Sequence, residues 1–194
     1  MAVLSMDWGA GEWTTPPVAV ESQEGDLVVT AVEGSDAWRV TSYGFVHDDE
    51  HALLAPLPAD AAVEVTFAAT MSEQFDQAGL FLKASPTQWI KAGIEYADGT
   101  PNLGAVVTDG VSDWSSAPVP EWAGRRVTIR ASRAGDAITL RARVEDEPFR
   151  FVRLVPLEPG LDLLAGPYLC APTRAGFTAR FHSWELTEPD ASLH

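Results

Sequence analysis

Apolar and polar residues alternate one for one along much of this chain, and few stretches hold a helical period for long. Leu27–Val32, Val63–Phe67, Val127–Ala131 and Ile138–Val144 each place apolar side chains on one face and polar ones on the other, as half-buried antiparallel strands do. Turn chemistry separates these runs: Gly25 between Glu24 and Asp26, then Asp98-Gly99, Asp109-Gly110 and Gly135 between Ala134 and Asp136. More than ten short, closely spaced strands predict two packed antiparallel sheets of roughly five to seven strands each, with at most a helical turn or two. Val63, Val65, Phe67, Ile90, Ile94, Val127, Ile129, Ile138 and Leu140 are the predicted inter-sheet core. The chain is too long for a single immunoglobulin-like sandwich and shows no seam between two, so a jelly roll is the better fit. The expected organisation is one domain over 1–187, then a frayed polar tail over 188–194.

The segment from Phe75 to Tyr96 carries most of the candidate chemistry. On its second strand Ile90, Ala92, Ile94 and Tyr96 face one side, while Trp89, Lys91, Gly93 and Glu95 face the other. An indole, an ammonium, bare backbone and a carboxylate on one strand face suit a ligand with apolar C–H faces and many hydroxyls, as sugars have. Lys91 is one of two lysines in a chain that otherwise uses arginine. Asp76 and Gln77 on the neighbouring strand, and Tyr43 as an aromatic wall, complete the candidate site. Trp89 is expected to stack on ligand outside the core. Asp113-Trp114, between Ser112 and Ser115, reads as a structural turn.

Charge narrows the partners. The formal net charge is −15, which disfavours nucleic acid and anionic membrane surfaces. Residues 1–60 hold one basic residue, Arg39, against eleven acids, whereas arginines crowd the segment from Arg125 to Arg153. At strand spacing these arginines read as a solvated outer face paired with acids. One cysteine, Cys170, allows no internal disulfide and fits a reducing compartment, and the start lacks the basic n-region of a secretory signal; a cytoplasmic protein is expected. No apolar run approaches the ~20 residues needed to span a bilayer. Cys170 itself reads as a buried thiol in a loop-like segment. His47 and His51, flanking two aspartates and a glutamate, read as a hairpin loop, and neither a metal site nor a cofactor is expected.

An ordered set of motifs resembles the regulation-of-enolase type of concanavalin A-like domain. It comprises Asp36 to Phe45, Asp76 to Leu80, Trp89 to Tyr96, Val106 to Thr108 with Ser112 to Ser115, Arg130 to Asp136, and Gly166 to Pro172 with Gly176-Phe177. The resemblance implies an all-β concanavalin A-like jelly roll whose concave sheet is the binding face. It departs at Val40 and Ser42, where members tend to carry polar or basic residues and histidine. It implies no activity, because the fold hosts lectins, glucanases and interaction modules alike.

The leading reading is a non-catalytic binding domain for a carbohydrate or related polar small molecule. One alternative is a small glycoside hydrolase or sugar-modifying enzyme with Glu95 as acid or base, which requires a second carboxyl across the cleft. The other is a protein-interaction module that regulates a metabolic enzyme.

Overall fold

The computed structural model describes residues 3–193. Among the described residues seventeen strands follow one another in this order. The first six are β1 (Leu4–Ser5), β2 (Glu12–Trp13), β3 (Ala19–Gln23), β4 (Asp26–Thr30), β5 (Ala37–Arg39) and β6 (Val46–Asp48). Next come β7 (His51–Leu57), β8 (Ala61–Ala69), β9 (Gln77–Ser85), β10 (Gln88–Ala97), β11 (Thr100–Asp109) and β12 (Val111–Pro118). The last five are β13 (Val127–Ala134), β14 (Ala137–Val144), β15 (Arg150–Pro156), β16 (Leu163–Cys170) and β17 (Thr178–Thr187). Single 3-10 turns at Trp8–Ala10 and Pro120–Trp122 are the helical content among the described residues, and no helix there is long and apolar enough to cross a membrane.

Two antiparallel sheets form the sandwich. One runs β12-β11-β10-β9-β16-β7-β2; the other runs β15-β14-β13-β8-β17-β4-β3, with β1 also paired to β17. The second sheet therefore has eight strands, one more than expected, because the two-residue β1 docks beside the end of β17. Strands distant in sequence lie side by side, such as β9 with β16 and β8 with β17, which is the jelly-roll signature. All nine residues predicted for the core lie between the sheets. The tight turns fall where glycine supplies positive φ, as at Asp98-Gly99 between β10 and β11.

Three local expectations are corrected. Arg130 is not a solvated side chain: it is 8% exposed and donates to Glu64 at 2.6 Å, Asp190 at 2.9 Å and Thr187 at 2.6 Å. Arg133 is also buried, and its guanidinium bonds to the backbone carbonyls of Leu57 and Leu161. The polar tail is docked, because Asp190 also accepts from Arg141 at 2.9 Å while its N–H donates to Ser132 at 2.7 Å. The segment from Gly166 to Cys170 is the interior of β16, not a loop; its backbone pairs with β9 on one side and β7 on the other.

β5 and β6 form a separate ribbon. This ribbon lies over the outer face of the seven-stranded sheet, the face turned away from the main core. There Trp38 joins Phe81, Trp89, Val106, Tyr168 and Cys170 in a second apolar cluster. Its turn needs positive φ at Val40 (65°), Ser42 (66°) and Gly44 (75°), a costly conformation for a β-branched valine. The two departures from the family pattern therefore sit in the strained turn of the ribbon.

Candidate functional site

Parity sets the outer face of the seven-stranded sheet. On β10 the alternation puts Trp89, Lys91, Gly93 and Glu95 outward, and the register aligns them in rows with neighbouring strands. Lys91 stands between Phe81 and Val106, and Val106 faces Trp114 on β12. Gly93 stands between Gly79 and Gly104, and Glu95 between Gln77 and Asn102. Gly93 and Gly104 of this row open a trough, lined also by Tyr168, Lys91 and Glu95. Close approach demands glycine at the centre of that row: a Cβ on Gly93 would lie 2.2 Å from the Ala78 carbonyl oxygen.

Between the sheet and the ribbon lies a cavity of about 300 Å³. Its floor carries Lys91, Glu95 and Val106; the ribbon supplies Asp36, Trp38, Tyr43, Phe45 and His47; Trp114 stands on the β12 side, with Gly34, Phe75 and Pro172 closing one end. The aromatic wall is built by period-two alternation along the ribbon. Tyr43 stacks on Phe45 (5.3 Å between centroids, 12° between planes) and meets Trp38 edge-on, while Phe45 meets His47 edge-on. Trp114, 40% exposed, makes no ring contact with another aromatic residue among those described.

The polar floor is organised around Lys91, which is 3% exposed. Its ammonium donates to Asp36 Oδ1 at 2.9 Å and Gln77 Oε1 at 2.7 Å, and Gln77 Nε2 donates to the same Asp36 oxygen at 3.1 Å. Burial works to lower the Lys91 pKa, but the Asp36 and Glu95 carboxylates outweigh it and hold it above its ordinary value. Asp36 Oδ1 also accepts the Ala37 N–H at 2.7 Å; Oδ2 accepts no hydrogen bond from the described residues. Glu95 likewise has no hydrogen-bond or ion-pair partner among the described residues. Burial raises its pKa to about 7, with Lys91 pulling down and Asp36 pushing up. Burial also drives the pKa values of Tyr168 and Cys170 well above their ordinary range, so the Cys170 thiol stays protonated and is not an activated nucleophile.

The structure brings together Lys91, Glu95, Tyr43 and Gln77, the last beneath the cavity as a ligand of Lys91. Two predicted residues are elsewhere. Trp89 has the expected parity but is 4% exposed, stacked on Phe81 at 5.3 Å within the second apolar cluster. It packs there because the outer face is itself covered beside the ribbon. Asp76 is fully buried and ion-paired to Arg174 at 2.7 Å, and it accepts the N–H groups of Ser72 and Glu73. It shapes the loop into β9 and lies outside the cavity lining. The predicted turn at Asp113-Trp114 is strand β12, where alternation sends Trp114 to the cavity. Asp36, Trp38, Phe45 and Trp114 were not in the predicted site; the alternation of Tyr43, Phe45 and His47 was a readable sign of the aromatic wall.

The cluster around His47 and His51 divides by role. His51 is buried, accepts the Val32 N–H at 3.0 Å and lies 3.0 Å from the Thr15 carbonyl oxygen, while Glu50 is buried against Lys83 at 2.8 Å. Both are structural. Two acids of this region that could supply a second carboxyl opposite Glu95 are each held by a cation: Asp76 by Arg174 and Asp113 by Arg153, both at 2.7 Å.

Comparison with known proteins agrees with this architecture. Residues 13–189 match the model of a protein family of unknown function, DUF1349. "Regulation of enolase protein 1" of Saccharomyces cerevisiae is 32% identical over 179 residues, covering 92% of this chain and 90% of that protein. A crystal structure of a functionally unknown protein from Saccharomyces cerevisiae superposes with a TM-score of 0.89 at 30% identity, over 96% of this chain and all of that one. A xylan β-1,4-xylosidase from Bacillus halodurans shares the fold over 87% of this chain but only 34% of its own, with a TM-score of 0.67 at 16% identity. The alginate lyase from Klebsiella pneumoniae aligns over 89% of this chain and 85% of its own, with a TM-score of 0.59 at 12% identity. Matched over nearly its whole length by the family model and by the yeast protein, the chain belongs to the DUF1349 family, with a concanavalin A-like jelly roll.

Proposed function

We propose that this protein is a binding domain for a carbohydrate or related polar small molecule, held in the cavity between the ribbon and the seven-stranded sheet. The observation that carries this reading is the combination of an exposed aromatic wall with acceptor groups on the floor that bond to none of the described residues. Trp114 offers a flat face for a ring, while Glu95 and Asp36 Oδ2 offer acceptors to hydroxyl or amino groups. Lys91 is committed to Asp36 and Gln77, so its role is to fix the floor. The fold relation to a xylosidase and an alginate lyase adds scaffold precedent only. The test is a glycan and small-molecule screen read by calorimetry. Trp114→Ala is expected to abolish any binding found while leaving the fold intact, and a ligand that binds Trp114→Ala and wild type equally would overturn the site. A catalytic role would show as turnover lost in Glu95→Gln with affinity kept.

A second reading has its own observation. Val40, Tyr43, Phe45 and Val46 are exposed apolar residues on one short ribbon, and the yeast relative's name describes regulation of an enzyme. These features support a protein partner docking on the ribbon. Co-purification of an enzyme that is lost in Tyr43→Ser/Phe45→Ser, but retained in Glu95→Gln, would favour it. The single buried thiol suits a reducing, cytoplasmic setting.

A further inference from the structure

We propose that the cavity takes a compact ligand bearing an ammonium group, such as an amino sugar or an alkylammonium, with the Glu95 carboxylate as its counter-ion and Trp114 against its C–H surface. This deepens the ligand-site reading above and rests on it. The first argument is charge. The ionisable groups that line the cavity are Asp36, Glu95, Lys91, His47 and the phenol of Tyr43. The Lys91 ammonium is neutralised by Asp36 at 2.9 Å, and His47 lies 3.5 Å from Asp49. Glu95 makes no ion pair among the described residues and feels only the field of the already committed Lys91 ammonium, and Asp36 Oδ2 accepts no hydrogen bond from those residues. An anionic ligand would meet two carboxyl groups, and the whole chain, at −15, repels anions before they arrive.

The second argument is the wall. Trp114, Tyr43 and Phe45 are 40%, 56% and 44% exposed and face the same space as Glu95. Aromatic faces around a carboxylate are the arrangement that attracts organic cations, because the ring quadrupole and the counter-ion act in the same sense. The third is protonation. Burial holds the Glu95 pKa at about 7 in the ligand-free protein. A cation beside it restores the anionic form, so binding near neutral pH expels a proton from Glu95. A neutral polyol brings no counter-charge, so its effect on the Glu95 proton is smaller.

The full-length protein should be titrated at pH 7 with two matched pairs: glucosamine against glucose, and choline against 3,3-dimethyl-1-butanol. Heats are measured in two buffers of different ionisation enthalpy, and tryptophan indole N–H resonances are followed by NMR. The expected result is that at least one cation binds about tenfold or more tightly than its neutral counterpart, shifts the Trp114 indole signal and releases protons. Which pair shows the effect separates an amino sugar from an alkylammonium. In Glu95→Gln, with unfolding temperature checked, the preference and the proton release should both disappear. Equal or tighter binding of the neutral members, or a preference unchanged in Glu95→Gln, overturns the cation assignment and leaves the ligand site standing. If none of the four compounds perturbs Trp114, the cation assignment falls. If a broad neutral-sugar screen also leaves that resonance unmoved, the ligand-site reading falls with it.

Discussion

The Lys91 ammonium, buried on β10, lies 2.9 Å from the Asp36 carboxylate at the foot of the ribbon, across 55 residues of sequence. This contact ties the ribbon to the sheet and fixes the floor of the cavity. Removing one partner leaves a buried charge without compensation, so Lys91→Met is expected to cost about 3–5 kcal/mol in reversible denaturation. Replacing both partners, as in Asp36→Leu/Lys91→Met, should recover much of that loss. A single mutant within about 1 kcal/mol of wild type would show that water, not protein, surrounds the pair.

Two tryptophans on the same sheet face should behave oppositely. Trp89 is packed against Phe81, and truncation to alanine should cost about 3–5 kcal/mol of stability. Trp114 stands in the cavity wall, 40% exposed, and Trp114→Ala should change stability by less than about 1 kcal/mol while removing ligand contact. Denaturant midpoints of the two variants check the contrast.

Glu95 makes stability depend on pH. Its ordinary pKa is 4.5 and burial raises it to about 7 in the folded chain. Between those values the folded state holds more protons than the unfolded state, so stability falls as pH rises through this window and levels off above it. The shift corresponds to about 3 kcal/mol at most. In Glu95→Gln the decline between about pH 4.5 and 7 should flatten, read from unfolding free energies at several pH values.

Gly93 is set by close approach. A Cβ there would meet the Ala78 carbonyl oxygen at 2.2 Å and the Gly79 Cα at 2.9 Å, both backbone atoms that cannot swing aside. Gly93→Ala should therefore destabilise by about 2 kcal/mol or more and perturb β9–β10 pairing. Loss of amide protection along Ala78 to Leu80 in hydrogen exchange would locate the damage.

Local pattern determined much of this protein. Period-two alternation in Val63 to Phe67, Val127 to Ala131 and Ile138 to Val144 named the strands and their buried faces, and Asp98-Gly99 and Asp109-Gly110 named the turns. The same alternation put Lys91 and Glu95 on one face, because side chains two apart on a strand must share a side. Tertiary structure decided what each face meets. Nothing in the residues around Trp89 says that its side is covered, since Trp38, Tyr168 and Cys170 arrive from 51 to 81 positions away in the chain. Asp76 looked available until Arg174 paired with it, and Arg130 looked solvated until Glu64 and Asp190 enclosed it. Periodicity is written by neighbours along the strand; burial and pairing are written by the sheet order, which brings β9 beside β16 and lays the ribbon over β10.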